Sequence, residues 1–366
     1  MTQHAIPFTF MRGGTSRGPY MRRSDLPDDV DMLKRVLVAM VGSGHPLNID
    51  GIGGGNAVTT KTAMLSASED DWADIDYLFA QVGVEDGRVD MKPTCGNILV
   101  GVGPASIEMG LMQPTGDVTE VRIRAVNTGA RVLARVQTPG GVVNYEGGAT
   151  IDGVPGSAAP VELNFMDVVG GATGALFPTG HRIDEIDGIA VTCMDVAMPM
   201  VIARAADFGL TGQESAADLD ENRAFFERME AVRITAGQRM GMGDVAKSVT
   251  PKFGLLSPAQ QGGTVGTRYF MPWKTHPSLA VTGSQCMASC VLCPGTVGEG
   301  FADLPDAGPL PMHLEHPMGV LEVVMDYRRT GAEFEVLSAG LIRTARKLAA
   351  GEVFVPRSVL LASNDG

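Results

Sequence analysis

A mixed α+β fold built from two related halves is what this sequence predicts, and three observations predict it. Short runs of β-branched and alternating apolar residues are spread along the whole chain. A few segments with helical periodicity lie between them. One small-residue segment then recurs about half the chain later. With 366 residues the chain can bury two medium cores.

Taken in order, Met32, Leu33, Val36, Leu37 and Met40 stand at helical spacing over 29–41, with Asp28 placed to cap the start. Ile75–Val82 reads as a strand, as do Val121–Val126, Arg131–Val136, Val161–Phe165 and Val320–Met325. Helices are expected over Glu221–Met240 and Leu341–Ala350. The recurring segment opens with Thr94-Cys95-Gly96-Asn97 and runs to about Leu111; its echo opens with Thr282-Gly283-Ser284-Gln285 and runs to about Leu292. Both read as buried helices that start at a small polar turn, one in each half, presenting their N-termini to a shared cleft.

Composition excludes several classes. A formal charge of −13 argues against a nucleic-acid surface, while local Arg and Lys can still line one cleft. No apolar run approaches a membrane span, and Met1–Pro7 has no basic start followed by an apolar stretch, so neither membrane nor export is expected. Five cysteines suit a reducing compartment, and the cytoplasm is the expected location. Cys286, Cys290 and Cys293 are separated by apolar residues, which reads as small hydrophobes on a buried helix rather than a metal site; Cys193 reads as structural too.

Three places carry candidate chemistry. Cys95, at an expected helix start between Pro93 and Gly96-Asn97, would feel the positive end of the helix dipole, which favours thiolate and proton exchange with a carbon acid. The alternative is a buried structural thiol. Lys61 follows Gly53-Gly54-Gly55-Asn56-Ala57-Val58-Thr59-Thr60, whose glycines allow backbone N–H groups close to an anion, although the order is not that of a phosphate loop. Spacing alone leaves Lys61 an ordinary surface charge. Met11-Arg12-Gly13-Gly14-Thr15-Ser16-Arg17-Gly18 combines guanidinium, hydroxyl and glycine in a pattern suited to a carboxylate, with a plain polar turn as the alternative. Lys252, His276 and Ser278 are weaker anion candidates, and His316-Pro317-Met318-Gly319 reads as a turn.

Together with Ile49–Gly54, Cys95–Leu99, Asn127-Thr128-Gly129, Ile151–Gly156, Pro178-Thr179-Gly180, Gly243-Asp244-Val245 and Arg343–Arg346, these segments resemble the 2-methylaconitate cis-trans isomerase family, nearest its 4-oxalomesaconate tautomerase (Δ-isomerase) branch. The likeness runs in order along nearly the whole chain. It implies a diaminopimelate-epimerase-like fold of two halves, 1–185 and 186–366, each a sheet wrapped around a central helix, with the last strand or helix packing back on the first half. It also implies an acid/base pair of Lys61 and Cys95. The substrate-binding set it implies is Arg12, Thr15, Ser16, Arg17, Asn56, Thr60, Gly96, Asn97, Lys252, His276, Ser278, Gly283 and Ser284. The second helix start carries Gly283-Ser284 without a thiol, which disfavours a two-thiol racemase. Three segments depart from the branch: Thr94 precedes the cysteine in place of Asn, Asp195-Val196-Ala197-Met198-Pro199 replaces an Asp-Asn-Gly-Met-Pro run, and His276-Pro277-Ser278 reduces a His-x-His pattern.

The activity this implies is a 1,3-proton shift through a dienolate, on an unsaturated tricarboxylate such as 4-oxalomesaconate from aromatic-compound catabolism. No metal, nicotinamide or pyridoxal cofactor is implied, and a homodimer is compatible with the reading. A 2-methylaconitate or methylitaconate isomerase is the alternative within the family. A non-catalytic tricarboxylate-binding protein is the alternative of another class.

Overall fold

The computed structural model describes residues 2–151 and 153–361. The chain forms two compact units, Met1–Asn164 with Ile342–Gly366, and Phe165–Leu341. The sequence reading placed its division at 185/186, where the structure places divisions at 164/165 and 341/342.

The first unit contains β1 (Gln3–Gly13), β2 (Ser16–Arg22), α1 (Val30–Val41), β3 (Lys61–Ala67), β4 (Ile75–Val82) and the short β5 (Val89–Asp90). There follow α2 (Gly96–Leu99), α3 (Val102–Glu108), β6 (Val118–Ala125), β7 (Arg131–Gln137) and β8 (Pro160–Phe165). Its strands lie in the order β1-β2-β3-β4-β6-β7-β8. The pairs β2–β3 and β4–β6 are parallel, and each parallel pair is bridged by a helical crossover, as the geometry of parallel pairing demands. Helices cover both faces. Leu33, Val36, Leu37 and Met40 of α1 join Met64, Ala80 and Val82 in one core, while α2 and α3 pack on the other face against β1, β2, β3, β6 and β7.

The second unit repeats this plan. It holds β9 (Asp184–Ile186), β10 (Ile189–Asp195), β11 (Pro199–Arg204), α4 (Ala216–Glu221), α5 (Arg223–Arg239), β12 (Lys252–Ser257) and β13 (Val265–Phe270). Then come α6 (Val281–Leu292), β14 (Leu310–His316), β15 (Gly319–Thr330) and the first part of β16 (Glu333–Pro356), a strand followed by α7 (Ser358–Leu361). Again two parallel pairs, β11–β12 and β13–β14, are bridged by helices, and α6 packs against β10, β11, β12, β14 and β15. Cys286 and Cys290 are buried on α6 among Met194, Met200 and Met287, the apolar role read from the sequence. The α+β class and the two repeats, each a sheet around a central helix, agree with the expected fold.

Four details differ from the sequence reading. The cap of α1 is Asp29, not Asp28; its carboxylate accepts from the Met32 N–H at 2.8 Å. The segment from 94 to 111 is broken into α2 and α3 at Val100-Gly101. The helix expected over Glu221–Met240 is broken at Asn222, whose side chain caps α5 by accepting from Phe225 N–H. Leu341–Ala350, expected as a helix, lies inside β16: its local helical preference loses to ladder bonds along β1, whose Gln3–Gly13 pairs with Pro356–Ala345.

Candidate active site

Side chains alternate across a strand, so the register of β2, β3 and β4 decides what faces α2. Tyr20 pairs with Ala63, which pairs with Phe79; one step along, Lys61 pairs with Gln81, and Tyr77 with Leu65. Tyr20, Lys61, Tyr77, Phe79 and Gln81 therefore share one face, opposite the Met64 and Ala80 face covered by α1. Lys61 is the half-buried first residue of β3. Its Nζ donates to Gln81 Oε1 at 2.7 Å and lies 5.4 Å from the Phe79 ring centroid. Gln81 Nε2 donates to the Thr60 and Val82 carbonyls and to Thr60 Oγ1, which fixes the amide with its oxygen toward the ammonium. Gly18 lies against the Lys61 carbonyl, where a side chain would collide.

Cys95 is the N-cap residue of α2, half-buried, with φ −131° and ψ 109°. No side chain caps this helix among the described residues, and Gly96 beside it faces open space. Two tyrosines from the sheet face hold the helix start. Tyr77 Oη donates to the Cys95 carbonyl at 3.4 Å, and Tyr20 Oη donates to the Ile98 carbonyl at 2.5 Å. Burial, and next the neighbouring Cys95, hold both phenols well above their ordinary range, so they act as neutral donors. The β1–β2 turn is fastened to the same helix: Asn97 Nδ2 donates to Thr15 Oγ1 at 3.0 Å, and Thr15 N–H donates to Asn97 Oδ1 at 3.4 Å. Gly14, with φ +52°, lies so close to Asn97 that no side chain fits. Ser16 shares the inward face through its pairing with Gly13; it is 2% exposed, and its hydroxyl has no hydrogen-bond partner among the described residues. The uncapped helix start, Lys61, Thr15, Ser16 and Asn97 thus surround one side of the sheet with donors.

Other predicted residues lie elsewhere. Thr60 is buried and donates to the Val82 carbonyl, a structural use, and Asn56 sits in an exposed turn closed by Thr59. Arg12 and Arg17 pair with each other on β1 and β2, which turns both to the face opposite Gly18 and Tyr20. There they line a cavity of about 720 Å³ together with Thr344, Arg346 and residues of the segment 145–158.

In the second unit, Lys252 opens β12 as Lys61 opens β3, the equivalent position in the repeat. His276 stacks edge-on against Tyr269 at 5.7 Å, and its Nδ1 accepts from the Ser278 N–H at 3.0 Å. Burial, followed by the Lys252 charge, holds the imidazole below its ordinary pKa, and burial does the same to Lys252. Ser284 is buried and donates to the Val281 carbonyl, and Gly283 lies against the Tyr269 ring. The N-cap of α6 is Ala280, so the position equivalent to Cys95 carries no thiol.

Sequence reasoning did not name Tyr20, Tyr77 or Gln81. Tyr77 and Gln81 sit in a strand that was read correctly, four residues apart on one face. Only the pairing with β3 shows what they face.

Residues 3–356 match the family described as PrpF protein. The Escherichia coli K12 protein YbhH is 50% identical over 96% of this chain and 99% of its own length. A 4-oxalomesaconate tautomerase from Pseudomonas putida KT2440 is 44% identical over 98% of both chains. Among solved structures, a methylitaconate-delta-isomerase superposes with a TM-score of 0.91 at 30% identity, covering 100% of this chain and 99% of its own.

Proposed function

The chain belongs to the PrpF protein family and is an isomerase, and from that premise we propose that it catalyses a 1,3-proton shift on an unsaturated tricarboxylate such as 4-oxalomesaconate. One observation carries the reading: Cys95, at an uncapped helix start, is held through its carbonyl by Tyr77 of the sheet face from which Lys61 projects. Lys61 and Cys95 are the acid/base pair. One takes a proton from a carbon beside the conjugated carboxylates, and the other returns one two atoms away. The electron pair left behind delocalises as a dienolate, which the N–H groups of the first turn of α2 and the Lys61 ammonium stabilise. Neutral Tyr20 and Tyr77 position α2, and Thr15, Ser16, Gly96 and Asn97 offer donors to the substrate carboxylates. Lys252, His276, Ser278, Gly283 and Ser284 remain candidate substrate contacts of the second unit. The free thiols support a reducing compartment such as the cytoplasm.

The second reading, a methylitaconate or 2-methylaconitate isomerase, is favoured by the superposition over the full chain. Ultraviolet spectroscopy over a panel of these acids tests both. Turnover of 4-oxalomesaconate with the highest kcat/KM supports the first; exclusive turnover of a methylated acid refutes it.

A further inference from the structure

Three arginines stand side by side across three adjacent strands. Arg17 on β2 pairs with Arg12 on β1, and Arg12 pairs with Arg346 on β16. Paired residues point to one face, so three guanidinium groups form a ladder with a pitch of about 5 Å. Like charges directly opposite one another repel. None of the three forms an ion pair with a carboxylate among the described residues. Arg12 Nη1 donates only to the Gly14 and Thr344 carbonyls, at 3.0 and 2.8 Å, and Arg17 lies 5.9 Å from the Phe10 ring centroid. Among the described residues Glu146 is the acidic residue of the cavity wall, and the nearby Lys347 is already paired with Glu108. Positive charge therefore exceeds negative around about 720 Å³ of space, in a chain whose net charge is −13.

We propose that this ladder is a second anion site, which binds a small di- or tricarboxylate. Forked, planar donors at this pitch match planar carboxylates borne on neighbouring or alternate carbons, each gripped through two N–H groups. The ligand class coincides with the proposed substrate, and the choice of carboxylates rests to that extent on the proposed function. The ladder residues alternate along their strands with those that face α2, while Tyr145 and Lys347 of the same cavity wall reach Glu108 of α3, so the kinetic arm of the test decides whether the ladder is distinct from the acid/base pair.

The test uses tricarballylate, a tricarboxylate with no double bond to shift, titrated calorimetrically into the full chain at low salt. Arg346 is exposed and outside the proposed catalytic set, so Arg346→Gln should fold normally. The expected result is a binding component that Arg346→Gln weakens at least tenfold and Arg346→Lys weakens less, with kcat and KM for 4-oxalomesaconate within twofold of the unmodified chain. Titrations that superimpose overturn the site. A tenfold rise in KM in Arg346→Gln overturns its separateness, assigning the ladder to the substrate. Absence of turnover with Arg346-dependent binding intact refutes the proposed activity and leaves the ladder standing.

Discussion

Replacing Cys95 by serine should move activity and stability in opposite directions. Cys95 occupies an N-cap with extended backbone angles and makes no capping bond. Serine is among the preferred N-cap residues, and a formed cap bond contributes about 0.5–1 kcal/mol. At about 2–4 °C per kcal/mol for a unit of this size, Cys95→Ser should raise Tm by roughly 1–4 °C. A serine hydroxyl at neutral pH is a far weaker proton donor and acceptor than a thiol. The lost acid/base group should lower kcat at least about a hundredfold, or about 2.7 kcal/mol of transition-state stabilisation. Differential scanning fluorimetry and a continuous ultraviolet assay on the same preparation read both quantities. A folded variant turning over near the unmodified rate would remove Cys95 from the pair. A marked fall in Tm would show that its thiol is structural.

Lys61→Met should lower turnover at least about a hundredfold while circular dichroism stays unchanged, since among the described residues its Nζ donates one hydrogen bond, to Gln81; near-normal turnover would exclude it. Dialysis against a strong chelator should leave kcat unchanged, and activity restored by one divalent ion after a loss would contradict the mechanism. Glu315→Gln should destabilise the second unit by about 1–3 kcal/mol near pH 7, because the buried carboxylate accepts from the Gln260, Gln261 and Gly263 N–H groups at 2.7, 2.6 and 2.8 Å. Burial alone would raise the pKa of Glu315, but those N–H groups and Arg268 outweigh it and hold the pKa below the usual carboxylate value. The folded state thus binds fewer protons, and this stability is present above about pH 4.3 and lost as pH falls through the depressed folded value. The Tm gap between Glu315→Gln and the unmodified chain should narrow on acidification from pH 7 to below 4; a constant gap would show that the charge contributes nothing.

Local signals were strong where one element explains them. The α1 periodicity, the alternation of β4 and β7, and the small-residue turn before α2 are each legible from a dozen consecutive residues, and Cys95 was found through the last of these. The buried helix of Cys286 and Cys290 was legible from the apolar residues between them. Signals failed where a distant partner decided the outcome. Leu341–Ala350 has the composition of a helix and becomes a strand because β1 offers it a row of ladder bonds.

By itself the sequence determined the α+β class, the recurrence of a helix start in each half and the residue types able to move a proton. Register was decided only by the tertiary structure, since a strand's neighbours are chosen by pairing and not by adjacency. Pairing set Lys61 against Gln81 and placed Tyr20 and Tyr77 beneath Cys95. Pairing also set Arg12 and Arg17 beside Arg346, more than three hundred positions along the chain. One face of a strand is two residues apart in sequence, but the face it meets belongs to whichever strand the fold brings alongside.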